Sequence, residues 1–227
     1  MDFARSAIGR IGELTGIDFT EAGNHFEAQG AKDAVVSASG ALNTVATSLM
    51  KIADDIRWLA SGPTSGIHEI SLPAIQPGSS IMPGKVNPVQ AEAMMMVAAR
   101  VMGNHTTITV GGQRGNFELN VMMPVLAHAL LESIEILAGT ARAFTDRCVV
   151  GITANEQRAR DLLEKNPSIA TALNPWRGYD VAADIAKLAA KGGRSVRGVA
   201  TERAVLADDV LDQALDVRSM TEPGVPE

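Results

Sequence analysis

The sequence predicts an all-α protein: a bundle of long helices followed by a small helical domain. Three observations carry that expectation. The 227-residue chain is 46% hydrophobic but only 4% aromatic, with Ala, Leu, Val and Met in most apolar positions; this suits closely packed helices better than a sheet. Apolar residues recur over residues 32–60 at alternating spacings of three and four, the period of a helix buried along one seam. Long Ala-, Leu- and Met-rich segments also flank one Pro/Gly-rich interruption, QPGSSIMPGKVNPVQAE, at residues 76–92.

The N-terminal MDFARSAIGRIGELTG lacks the apolar core of a secretory signal, and its two acidic residues argue against a transit peptide. No uninterrupted apolar run approaches the ~20 residues of a membrane span, so a soluble protein is expected. In residues 32–60 the seam reads Val35, Ala38, Leu42, Val45, Leu49, Ile52, Ile56 and Leu59. At 1.5 Å per residue this helix would be roughly 43 Å long, too long for a compact globule of this size to cover on all sides. Small residues such as Ser39, Gly40 and Ala46 permit close approach of another helix.

A second helix is expected from about Pro88, in the favourable first-turn position, to about Val110. GGQRGN then breaks the chain. A third helix is expected from about Phe117 to Phe144, with Leu126, Leu130, Ile134, Leu137 and Ala141 on one face and a kink at Pro124. Three long helices without a full set of packing partners point to assembly with other chains, a monomeric bundle being the alternative. Near residue 150 the segments shorten and charge becomes denser. The expected division is therefore 1–150, a partial bundle, and 151–227, a small helical domain ending in a loose tail, TEPGVPE.

Composition excludes several functions. The net charge is −6 and the 20 basic residues are scattered, so neither a nucleic-acid nor a membrane surface is expected. Residues 182–203 resemble a helix-turn-helix by eye, with Lys187, Lys191, Arg194, Arg197 and Arg203, but Asp180, Asp184 and Glu202 interleave with them. A single cysteine, Cys148, allows no internal disulfide or cysteine-ligated cluster and fits a reducing cytoplasm.

The chemistry concentrates in residues 76–92. Gly78 and Gly84 permit backbone conformations closed to other residues, while Pro77, Pro83 and Pro88 stiffen the chain around them. That frame holds two hydroxyls (Ser79, Ser80), one cation (Lys85), one amide (Asn87) and one carboxylate (Glu92). Backbone N–H groups of the Gly-Ser-Ser turn, with Lys85 and Asn87, form a receptor for a carboxylate or phosphate. Glu92, in the first turns of the next helix, can orient a partner such as a histidine from elsewhere. The alternative is a rigid connection whose polar groups only satisfy the turn.

GSSIMPGKVNP matches, without a gap, the form Gly-Ser-Ser-x-x-Pro-x-Lys-x-Asn-Pro and so resembles the signature loop of the fumarase/aspartase superfamily. SLMKIADDIRWLASGP, GNFELNV and TALNPWRGYDVAADIAK resemble class II fumarate hydratase in particular. Gly84 and Phe117 favour the hydratase over aspartate ammonia-lyase, where Ala-Lys is more typical. The resemblance covers nearly the whole chain.

That resemblance implies reversible anti elimination of water from (S)-malate to give fumarate, without metal or cofactor. Ser79 matches the base that removes the C3 proton, while the developing aci-carboxylate is held by surrounding donors. Ser80, Lys85 and Asn87, with the Val86 backbone, match the positions that bind the dicarboxylate substrate. Glu92 matches the partner of the family's catalytic histidine. That histidine belongs to a Thr-His…Gln-Asp-Ala-x-x-Pro segment, which these 227 residues do not contain. None of His25, His68, His105 and His128 stands in its context; all four are expected to be ordinary surface or packing residues, with His68 the best placed to approach the loop. The chain thus corresponds to about the C-terminal half of a homotetrameric enzyme whose active sites draw on three subunits, and it is expected to be inactive alone. The alternatives are an aspartate ammonia-lyase and a non-catalytic helical assembly module.

Overall fold

A computed structural model describes residues 2–223 of the chain. They form two compact units: the segment up to Trp58 joined with Leu72–Ile152, and Leu59–Ser71 joined with the segment from Thr153 onward.

In the first unit, α1 (Asp2–Thr15) and the short α2 (His25–Gly30) precede α3 (Asp33–Leu59). Asn24 starts α2, its side-chain oxygen accepting the N–H of Phe26 at 3.1 Å and of Glu27 at 3.2 Å, which satisfies two otherwise unpaired donors. α4 (Val89–Gly112) and α5 (Met123–Arg147) pack with α3. Their core is layered along the helices. Val35 and Val36 meet Ile108, Leu126 and Ala129; Leu42 and Ala46 meet Ala98, Val101 and Leu137; Leu49, Ala53 and Ile56 meet Ala91, Met94 and Phe144. Ala46, Ala53, Ala91 and Ala98 are fully buried, so short side chains line the contact of α3 with α4. Polar bonds fix the register: Ser39 with His105 Nδ1 at 3.0 Å, and Asn104 Nδ2 to Ser133 Oγ at 3.0 Å.

The seam of α3 differs from the expected one. Val35, Leu42, Leu49 and Ile56 do pack inward, but beside Ser39, Ala46 and Ala53. Val45 and Ile52 are instead 47% and 45% exposed. Both sets recur every seven residues, and a helix of 3.6 residues per turn cannot turn both flanks of so wide a stripe to the same neighbours. The smaller flank faces α4 and α5. On α5, similarly, Ala129, Ser133 and Phe144 join Leu126 and Leu137 inside, and Ile134 is exposed.

The starts of α4 and α5 are corrections too. Pro88 caps α4 rather than opening it. α5 begins at Met123 because the preceding residues fold as a turn: Asn116 and Leu119 exchange backbone hydrogen bonds of 2.9 and 3.2 Å, and Phe117 has φ 54°. Buried Asn120 holds this turn, donating to Gly111 O at 3.1 Å and accepting the Met122 N–H at 2.9 Å. Pro124 therefore lies in the first turn of α5, where its missing N–H is no loss, and not inside a helix to be kinked. By length and composition alone Met123–Gly151 could cross a membrane, although no unbroken apolar run in the sequence shows it; the inward residues of α5 pack on α3 and α4.

The second unit holds an antiparallel pair, β1 (Ile70–Ser71) with β2 (Thr153–Ala154). Side chains reinforce it. Asn155 Nδ2 donates to His68 O at 3.1 Å, Ser71 donates to Asn155 Oδ1 at 3.0 Å, and Arg158 donates to Gly66 O at 2.7 Å and Ile67 O at 2.9 Å. Residues 59–71, inside the 1–150 span of the sequence reading, are thereby tied to this unit. Short helices follow: α6 (Glu156–Glu164), α7 (Asn174–Arg177), α8 (Tyr179–Gly192), α9 (Val196–Glu202) and α10 (Asp208–Ala214). They enclose a core that includes Leu173, Ile185, Val196, Val199 and Leu211. Gly193, at φ 61°, ends α8 in the left-handed conformation. Arg194 pairs with Glu202, and Arg197 with Glu164 and Asp212, so two cations of the helix-turn-helix-like stretch are neutralised within the unit. Of the expected tail, Gly224 to Glu227 lie outside the described residues.

Candidate functional site

Residues 76–92 lie within the first unit and lead directly into α4. The loop closes on itself. The Gly78 N–H donates to Lys85 O at 2.7 Å, and Asn87 Nδ2 donates to Gly78 O at 3.2 Å. A Cβ on Gly78 would stand 2.9 Å from Lys85 O and 3.0 Å from both the amide N and Oδ1 of Asn87, so glycine is what lets the two arms meet. Gly84, at φ 76°, turns the chain back between them.

Ser79 sits at the centre of the turn. Its Oγ accepts the N–H groups of Ile81 and Met82, both at 3.2 Å. Two amide dipoles aimed at a hydroxyl oxygen favour its deprotonated form, the direction a basic serine requires. Of the Gly-Ser-Ser N–H groups expected to face an anion, that of Gly78 bonds within the loop instead, as do those of Ile81 and Met82. Sequence inspection could have found the pattern, since a serine followed two and three residues later by free N–H groups is a side-chain-capped turn. Donors left for an anion include the backbone N–H groups of Ser79 and Ser80, the exposed Ser80 hydroxyl, the exposed Lys85 ammonium and the second hydrogen of the Asn87 amide.

Val86 lies beside them with its side chain 49% exposed. The Val89 N–H donates to Asn87 O at 2.9 Å and the Glu92 N–H to Pro88 O at 3.0 Å, which carries the loop into the first turn of α4. Glu92 is half-buried there, where the helix dipole favours a carboxylate. Among the described residues neither Glu92 nor Lys85 has a side-chain partner, and no cluster of metal-ligating side chains is found. One cation, two hydroxyls and an amide suit a carboxylate ligand.

Ser79, Ser80, Lys85, Val86 and Asn87 thus share one closed loop, and Glu92 follows in the first turn of α4, whereas the histidines lie apart in role. His105 bonds Ser39, His25 faces Glu21 at 3.3 Å, and His128 lies on α5. His68 belongs to the second unit, at φ 53° with a buried Nδ1 that no described residue partners.

Residues 1–103 match a family described as Lyase, and residues 169–222 match one described as Fumarase C C-terminus. The chain is 49% identical over 223 residues to fumarate hydratase class II of Xylella fastidiosa, covering 98% of this chain and 47% of that protein. It is 51% identical over 221 residues to mitochondrial fumarate hydratase of Mus musculus, covering 97% and 44%. Among solved structures, fumarate lyase:delta crystallin from Brucella melitensis aligns with a TM-score of 0.90 at 42% identity, over 97% of this chain and 48% of that one. The chain therefore spans about half the length of the curated relatives it matches.

Proposed function

Since this chain belongs to the class II fumarate hydratase family, we propose that it supplies the serine-loop part of a fumarate hydratase, which interconverts fumarate and (S)-malate. Ser79 removes the C3 proton of malate, its alkoxide held by the N–H groups of Ile81 and Met82. Lys85, Ser80 and the free N–H of Asn87, with the backbone at Val86, grip the adjacent carboxylate as it gains charge. Glu92 pairs with an imidazole supplied from outside these residues and sets its proton. The observation that best supports this reading is the pair of amide donors on Ser79 Oγ, which a serine that must carry negative charge requires.

Assembly follows from the same reading. Val45 and Ile52 of α3, Met96 and Val110 of α4, and Leu131 and Ile134 of α5 leave large apolar side chains exposed. Such a surface fits a homotetramer whose helices continue the bundle, with each site completed by segments of other subunits, and the chain alone would have little activity. The test is fumarate hydration, followed by loss of fumarate absorbance, with this chain alone and mixed with a polypeptide carrying the N-terminal half of a class II fumarate hydratase. Activity is expected in the mixture, and Ser79→Ala should lower it by on the order of 10²–10⁴-fold. Unchanged turnover in that variant would remove Ser79 from the reaction, and replacing water by ammonia as the nucleophile separates this reading from an ammonia-lyase.

A further inference from the structure

We infer that Asn87 is a positioning residue: by clasping Gly78 it sets where the Ser79 hydroxyl sits, apart from any contact it makes with substrate. Residues 78–87 form a ring closed at Gly78 by two bonds, one from its N–H to Lys85 O and one from Asn87 Nδ2 to its carbonyl, at 2.7 and 3.2 Å. Burial does not shape the tip of that ring. Ile81 is 85% exposed, Met82 48% and Val86 49%, so hydrogen bonds and the stiff Pro83 must hold its conformation.

The two closures differ in kind. Lys85 contributes a main-chain carbonyl, which any residue at that position keeps. Asn87 contributes its side chain, which lies against Gly78 so closely that a Cβ there would stand 3.0 Å from Oδ1. Ser79 follows Gly78 directly, so rotation about the Gly78 backbone swings Oγ away from the N–H groups of Ile81 and Met82. Losing those donors removes what favours the alkoxide. The catalytic meaning of this rests on the reading of Ser79 as base; the mechanical claim does not.

Backbone ¹⁵N relaxation on the full 227-residue chain tests it, in wild type, Asn87→Asp, Asn87→Ala and Lys85→Ala. At neutral pH Asn87→Asp keeps the side-chain volume and replaces the donor by a charged acceptor facing the Gly78 carbonyl, whereas Asn87→Ala removes the donor without adding charge, so loosening in both variants marks the lost bond. Order parameters at Ile81 and Met82 should be near about 0.85 in wild type and Lys85→Ala and fall below about 0.6 in both Asn87 variants. Val101 and Ile108 in α4 should be unchanged throughout. A loop as rigid in Asn87→Asp as in wild type overturns the proposal. So does equal loosening by Lys85→Ala, or loss of order in α4, which would make Asn87 a residue of the fold at large. Fumarate hydration by the same variants mixed with the N-terminal half of a class II fumarate hydratase separates the two claims: turnover unaffected by Lys85→Ala counts against the substrate reading and leaves the positioning result standing.

Discussion

The side-chain amide of Asn104 donates to the Glu132 carboxylate at 2.7 Å across the contact of α4 with α5, and Arg100 donates to the same carboxylate at 3.0 and 3.2 Å. Asn104 also donates to Ser133 Oγ, so one buried amide joins two groups on α5. The Glu132 carboxyl is held below its ordinary value of 4.5, first by the Asn104 hydrogen bond and then by Arg100, with desolvation opposing. A depressed folded pKa stabilises the fold fully above the unfolded value, and that stability is lost as pH falls through the folded value. Thermal unfolding should therefore show Tm decreasing as pH falls below 4.5, and Glu132→Gln should flatten part of that decrease. An unaltered acid slope in Glu132→Gln would show that this carboxylate is not coupled to folding.

Gly111 gives a prediction about packing. It is buried in the last turn of α4, and a Cβ there would stand 2.8 Å from Leu126 Cδ2. Alanine could be met by a shift of the leucine tip, but the two methyls of valine could not. Gly111→Val should destabilise the first unit by about 1–3 kcal/mol, the usual cost of overpacking a close contact. Urea unfolding followed by circular dichroism measures it, and a midpoint equal to wild type would mean that α4 and α5 separate freely at this end.

Much of this arrangement could be read from the chain, and its limits have physical causes. The helix over 33–59 follows from apolar periodicity, and that over 89–112 from an Ala- and Met-rich run bounded by Pro88 and the GGQRGN break, because backbone hydrogen bonding and local propensity determine them. Periodicity does not say which flank of a stripe meets a neighbour, so Val45 and Ile52 were expected inside beside Leu42 and Leu49. The start of α5 was misplaced because the turn before it depends on Asn120 reaching back to Gly111, a bond between residues whose proximity only the fold creates. Residues 59–71 similarly join the second unit through Asn155 and Arg158, nearly ninety positions away. The loop residues were identifiable by type and spacing, but the destination of each N–H was not.

Cys148 offers a reporter of the third core layer. Its side chain is buried beside Phe144 and Met94, and desolvation pushes the thiol above its ordinary 9.0. The thiolate is the reactive form, so burial slows reaction through both access and ionisation. Wild-type protein at pH 8 should react with a disulfide reagent far more slowly when folded than in denaturant. Met94→Ala, which opens a cavity at about 2–5 kcal/mol, should bring the two rates closer. Equal rates in folded and unfolded wild type would contradict the burial.

The exposed flank of α3 makes the assembly proposal measurable without reference to catalysis. Val45 and Ile52 are seven residues apart, two turns along one helix, and both are nearly half exposed in the isolated chain. Replacing them together by glutamate adds charge without removing any inward contact of Leu42, Ala46, Leu49 or Ala53. Stability of the single chain should then change little, within about 0.5 kcal/mol per site as for other surface substitutions. If copies pack along this flank, burying two carboxylates there without partners is strongly unfavourable. Sedimentation velocity should show wild type as a larger species that dissociates in Val45→Glu/Ile52→Glu, with the helical signal preserved. A wild-type chain that sediments as a monomer, or a double variant that assembles unchanged, would exclude this flank as the surface through which the bundle continues.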